Sequence, residues 1–106
     1  YCYASAFKDR EAYKNCVELS IYVDKEYRGH GVGSLLYRVI QKQLRGMGIN
    51  NLYACIAYPE DDDDPRLTPE SVLFHKKMGF DLCGYFKGCG WKFDKNWSMI
   101  WMEKQL

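Results

Sequence analysis

A chain of 106 residues with a formal net charge of +1 has room for one domain, which at this size buries roughly two thirds of the surface its unfolded form exposes. So small a charge gives no electrostatic ground for nucleic acid or an anionic membrane as partner, since both call for a clustered basic face. Apolar residues are 47% of the chain but are interspersed with charges, and no run approaches the ~20 that a membrane-spanning helix needs; the expectation is a cytoplasmic protein.

Residues 1–6 read as a strand and carry no basic head or apolar stretch of a secretory signal, which leads us to expect a fragment whose native start lies upstream. Across residues 17–23, Val17, Leu19, Ile21 and Val23 are apolar at every second place and Glu18, Ser20 and Tyr22 fall between them, the pattern of a strand with two different faces. A polar, glycine-rich stretch follows over 24–33. Val32, Leu35, Leu36, Val39, Ile40, Leu44 and Met47 then recur at helical spacing, with Gly46 and Gly48 as terminators. Residues 52–58 are good strand formers, and 59–65 form an acidic loop with four consecutive aspartates, Asp61 to Asp64. That run lacks the glycine and spaced ligands of a calcium loop and reads as solvated. Thr68 and Pro69 open a short helix reaching Met78 before Gly79, and strand-like pieces at 80–86, 91–93 and 97–103 close the chain. This order implies an α/β chain (α+β type) with a mixed, partly parallel sheet flanked by helices, its closing strands antiparallel.

Five cysteines, Cys2, Cys16, Cys55, Cys83 and Cys89, form an odd set without a Cys-x-x-Cys pair or a histidine at zinc-finger spacing. No metal is expected, and the thiols read as reduced core residues. Chemistry begins instead at Gly29, Gly31 and Gly33, which let backbone N–H groups converge ahead of a helix N-terminus and so create an anion site suited to a pyrophosphate. A nucleoside-triphosphate loop requires a lysine between its last glycine and Ser or Thr, and Val32-Gly33-Ser34 has none. A dinucleotide fingerprint requires an acidic residue about twenty positions on, which is also absent.

Arg28-x-x-Gly31-x-Gly33, after an apolar strand and before a long helix, resembles the acetyl-coenzyme A loop of the GNAT superfamily of N-acetyltransferases, and in particular the phosphinothricin acetyltransferase group. The matching stretches are Tyr3-Ala4-Ser5 with Phe7, Arg10 and Ala12-Tyr13; Val17-Glu18 and Ile21-Tyr22-Val23; Arg28 to Leu36; Ser71-Val72 with His75; Gly79-Phe80; and Gly90-Trp91-Lys92-Phe93 with Trp97. The family's N-terminal strands and helices have no counterpart here, and Thr68 stands where the group usually has Asn. The resemblance implies one acetyl-coenzyme A-binding domain over 1–106. In it the backbone of Ile21, Tyr22 and Val23 pairs with the pantetheine arm, while Arg28, Gly29, His30, Gly31, Val32, Gly33 and Ser34 hold the pyrophosphate. Thr68 also contacts the coenzyme, and Arg10 and Tyr13 face the acceptor amine.

The resemblance further implies Glu18 as general base and His75 as a second catalytic group. Glu18 lies five residues before Val23, about 15 Å along an extended strand, so a water relay is one route to the amine. The intrinsic pKa of His75 suits either donating to the departing thiolate or accepting from the amine; the competing reading is a packed histidine between Phe74 and Met78. Trp91 and Trp97 read as core or dimer contacts, and pairing with a second copy would cover an exposed sheet edge. Three functions follow: acetyl transfer to a small amine of the phosphinothricin or methionine-sulfone type, a catalytically silent coenzyme A-binding or interaction module, and acetylation of protein N-termini.

Overall fold

The computed structural model describes residues 1–8, 11–21, 30–59, 70–92 and 94–106. The elements are β1 (Cys2–Ala6), a 3-10 turn (Glu11–Tyr13), β2 (Cys16–Ile21), α1 (Val32–Gly46), β3 (Asn51–Pro59), α2 (Glu70–Lys77), β4 (Asp81–Lys92) and β5 (Lys95–Gln105). Five strands form a sheet in the order β1-β2-β3-β5-β4. β2 and β3 run parallel, whereas β1 with β2 and β4 with β5 run antiparallel, so the mixed, partly parallel sheet expected from the sequence is present. The chain divides into two compact units, Tyr1–Tyr53 with Gln105–Leu106, and Ala54–Lys104.

In the first unit the alternation along β2 works as its pattern predicts. Val17 and Leu19 are buried, and Glu18 and Ser20 between them are only half-buried. The parallel register sets Leu52, fully buried, beside Val17 and Tyr53 beside Glu18. Burying one such aliphatic side chain contributes about 1.5–3 kcal/mol. Helix α1 packs against β1 and β2, but the face it buries is turned by about one residue from the expected one. Tyr37 and Leu44 are buried, whereas Leu35, Val39 and Met47 are exposed. A large aromatic fills the interior, its phenol pushed up to about 12 by burial, and the spare aliphatics stay outside, which folded proteins tolerate. Of the two glycines read as terminators, Gly46 is helical and Gly48 ends the helix. At φ 83, Gly48 lets its own N–H reach the Arg45 carbonyl (3.2 Å) and that of Ile49 reach Leu44 (3.0 Å), the paired bonds of a left-handed helix stop.

In the second unit α2 ends the same way. Gly79 stands at φ 96, its N–H donates to the Lys76 carbonyl (3.0 Å), and Phe80 N–H donates to the carbonyl of His75 (2.9 Å). The three closing pieces expected from the sequence are two long strands. Gly84, Gly88 and Gly90 lie within β4, at or between the two register shifts that separate Leu82 from Gly84 and Phe86 from Gly90. Gly88, at φ 58, donates its N–H to Ser98 Oγ (2.9 Å). Gly84 lies opposite Trp101 and Gly90 opposite Trp97, where an added Cβ would come only into ordinary contact, 3.5 Å from Trp101 Cβ and 3.6 Å from Trp97 Cβ. The cysteines depart from expectation: none is in a disulfide, but Cys2 and Cys16 are half-buried and Cys55, Cys83 and Cys89 are exposed. Larger residues fill the core. Trp91, 70% exposed, is likewise no core residue.

Candidate active site

His30 and Gly31 form an exposed turn ahead of α1. Gly31 is its N-cap in the left-handed conformation, φ 77, and no side chain among the described residues caps the helix. The first intrahelical bond runs from Leu35 N–H to Gly31 carbonyl at 3.0 Å. The N–H groups of Val32, Gly33 and Ser34 therefore have no carbonyl within the helix to reach. There is no acidic residue in the first turn to occupy the positive end of the dipole. A Cβ added at Gly31 would meet nothing within 4 Å among the described residues. Gly33 is not part of the turn itself; it lies in the first turn of the helix. Arg28, Gly29, Tyr22, Val23, Arg10 and Thr68 lie outside the described residues.

β2 leads toward this turn. Ile21 pairs with Cys2 on the β1 side, but the register with β3 covers only Cys16, Val17 and Glu18. Past Glu18, then, the side of β2 turned toward β3 has no strand partner among the described residues, and its backbone groups need one. Glu18 is half-buried and makes no hydrogen bond or ion pair among those residues. It contrasts with Glu11, whose carboxylate pairs with Lys14 at 3.0 Å on the surface. Tyr13, at the end of the 3-10 turn, is 44% exposed.

His75 is buried within the second unit. The Ser71 carbonyl 2.6 Å from Nδ1 can only accept, so Nδ1 carries the proton and donates it. Nε2 is buried and has no hydrogen-bond partner among the described residues. Phe74 and Phe80 meet the imidazole edge-on, with centroids 5.4 and 5.0 Å away. Burial holds the imidazole below its ordinary pKa of 6.5, against a smaller opposing effect of the Ser71 hydrogen bond. In this tautomer Nε2 has a lone pair and no proton, so neutral His75 can accept a proton there but not donate one.

The first unit thus gathers Glu18, Ile21, Tyr13 and the turn from His30 to Ser34, while His75 belongs to the second. Tyr53, beside Glu18 in the register, lies on the face of β3 opposite Leu52, Ala54 and Ile56, all buried. Among the described residues, no group of three or more His, Cys, Asp or Glu is placed to hold a metal.

The family described as Acetyltransferase (GNAT) domain matches residues 1–101. A phosphinothricin N-acetyltransferase of Streptomyces coelicolor is 31% identical over the whole chain, which covers 57% of that relative. Among solved structures, a phosphinothricin acetyltransferase from Sinorhizobium meliloti in complex with AcCoA superposes with a TM-score of 0.84 at 33% identity, covering all of this chain and 53% of that one. A ribosomal-protein-alanine N-acetyltransferase from Brucella melitensis gives a TM-score of 0.85 at 28% identity, over all of this chain and 60% of that one. The chain spans little more than half the length of these relatives.

Proposed function

Because the chain belongs to the GNAT acetyltransferase family, we propose that residues 1–106 form one acetyl-coenzyme A-binding domain of an N-acetyltransferase acting on the amine of a small molecule. The observation that carries this reading is the uncapped N-terminus of α1 behind a left-handed Gly31, a preformed anion site. The acceptor is an amino-acid analogue of the phosphinothricin or methionine-sulfone type, which the similarity to phosphinothricin acetyltransferases supports.

In the proposed reaction Arg28, Gly29, His30, Gly31, Val32, Gly33 and Ser34 hold the pyrophosphate, with Thr68 as a further contact. The backbone of Ile21, Tyr22 and Val23 pairs with the pantetheine arm along the side of β2 that β3 leaves free, and Val23 N–H donates to the thioester oxygen. The amine nitrogen, positioned with the help of Arg10 and Tyr13, attacks the thioester carbon. A C–N bond forms, the C–S bond breaks, and the sulfur leaves as thiolate and is then protonated. Glu18 takes the proton the amine releases, directly or through water. His75, neutral with its lone pair on Nε2, is a second proton acceptor rather than the acid for the thiolate. Self-association and a cytoplasmic location belong to the same proposal. β4 is one of the two edge strands and exposes Leu82, Phe86 and Trp91, and no helix among the described residues is long and apolar enough to cross a membrane.

The test is calorimetric titration of acetyl-coenzyme A together with mass spectrometry of products from phosphinothricin, methionine sulfone and an alanine-terminated peptide. Binding with acetylation of the small amines supports the proposal. Binding without turnover favours a silent coenzyme-binding module, acetylation of the peptide alone favours an N-terminal acetyltransferase, and absence of binding refutes the reading of the glycine turn.

A further inference from the structure

Helix α1 carries its charge on one side. It contains Arg38, Lys42 and Arg45 and no acidic residue. All three cations are exposed, and none pairs with a carboxylate among the described residues. At 3.6 residues per turn they form one row along the helix, and Leu35, Val39 and Gly46, also exposed, form the row beside it. The buried Tyr37 and Leu44 lie on the opposite side. The chain's net charge of +1 thus conceals a local concentration of cations.

None of these six residues serves the interior, and each is an unfavourable choice for a helix standing in water. Like charges three and four apart repel one another, exposed aliphatics gain nothing from burial, and glycine within a helix costs backbone entropy. A Cβ at Gly46 would meet nothing within 4 Å among the described residues, so packing there does not call for glycine. A partner lying along this face turns all three costs into gains. Its carboxylates neutralise the cations, its aliphatics bury Leu35 and Val39, and the notch at Gly46 lets its backbone come close.

We infer that the outer face of α1 is a docking surface for an acidic amphipathic helix of another protein. That helix presents carboxylates at the i, i+4, i+7 spacing of Arg38, Lys42 and Arg45, with an aliphatic row beside them. This docking needs neither acetyl-coenzyme A nor turnover. Other polyanions fit the face less well. A nucleic acid engages the cations but leaves the aliphatic row unused, and a membrane surface has only Leu35 and Val39 to take in, without an aromatic anchor.

The experiment titrates the whole chain into a labelled synthetic helical peptide that carries glutamates at i, i+4 and i+7 beside a row of leucines. A scrambled peptide of the same composition serves as the control for charge alone. Fluorescence anisotropy is expected to show saturable binding of the patterned peptide, about tenfold tighter than that of the scrambled one. The double charge reversal Lys42→Glu with Arg45→Glu should weaken it about tenfold. Gly46→Leu should do the same by filling the notch. Circular dichroism checks that each variant is folded, and Arg38→Glu or Val39→Ser takes the place of one that is not. Equal binding of the scrambled peptide, or wild-type affinity in either folded variant, overturns the docking surface. So does tighter binding of a DNA duplex or of phosphatidylserine vesicles, or a dimer in sedimentation velocity that Lys42→Glu disperses.

Discussion

Between pH 7.5 and 5.5 the fold should lose stability through His75, and the size of the loss follows from its surroundings. The folded state buries the ring and holds it neutral, with its pKa below the ordinary 6.5; the unfolded chain takes up a proton near that ordinary value. A depressed folded-state pKa contributes stability that is complete above 6.5 and is lost as the pH falls from 6.5 toward the folded value. Uptake of one proton by the unfolded chain across this interval sets an upper limit of about 1.4 kcal/mol on the loss. His75→Phe removes the titration. It forfeits the Ser71 hydrogen bond, worth about 0.5–1.5 kcal/mol, but also removes the orphaned Nε2, whose burial costs about 1–3 kcal/mol. The variant should therefore match or exceed wild-type stability at pH 5.5 and show a flatter pH dependence. Urea unfolding followed by tryptophan fluorescence at both pH values measures this, and the exposed His30 and the carboxylates cancel in the comparison. Equal pH dependence in the two proteins would refute the picture of a buried, neutral, half-satisfied imidazole.

Gly31→Ala should cost about 1–2 kcal/mol in thermal unfolding, because its φ is left-handed although the space around it is open. Gly31→Glu should in addition abolish acetyl-coenzyme A binding by calorimetry, since it sets a carboxylate at the uncapped helix end; wild-type affinity would count against the loop assignment. Glu18→Gln should lower turnover about a hundredfold or more while leaving acetyl-coenzyme A affinity unchanged. Gly46→Ala should stabilise by about 0.5 kcal/mol because the position is helical and unobstructed, and Gly48→Ala should destabilise by about 1 kcal/mol because its φ is 83; equal effects in thermal melts would contradict the assigned helix end.

The alternation of Val17 and Leu19 with Glu18 revealed both faces of β2, because the side-chain period of a strand is a local property. The loop-to-helix step at Gly31 was equally legible, since the helical pattern starts directly after it. What the sequence hid depends on partners distant along the chain. Glycine breaks a strand unless an indole opposite fills its place, so β4 could not be told from two shorter pieces without knowing that Trp97 and Trp101 lie across from Gly90 and Gly84. The stacking of Tyr53 on Phe7 likewise joins residues far apart along the chain. Leu35 and Tyr37 are both compatible with an amphipathic helix, and only the shape of the sheet beneath selects Tyr37. The buried environment of His75 likewise came from Phe80, beyond the helix end.

The glycine and tryptophan pairs of β4 and β5 also constrain how that hairpin is assembled. Trp97 faces Gly90 and Trp101 faces Gly84, with Phe86 opposite Met99 between them. Sliding one strand past the other by two residues would drive an indole into an occupied place and leave a vacancy where it had been. A misaligned ribbon is thus penalised at both ends at once, and the correct alignment is recognised by fit rather than by charge.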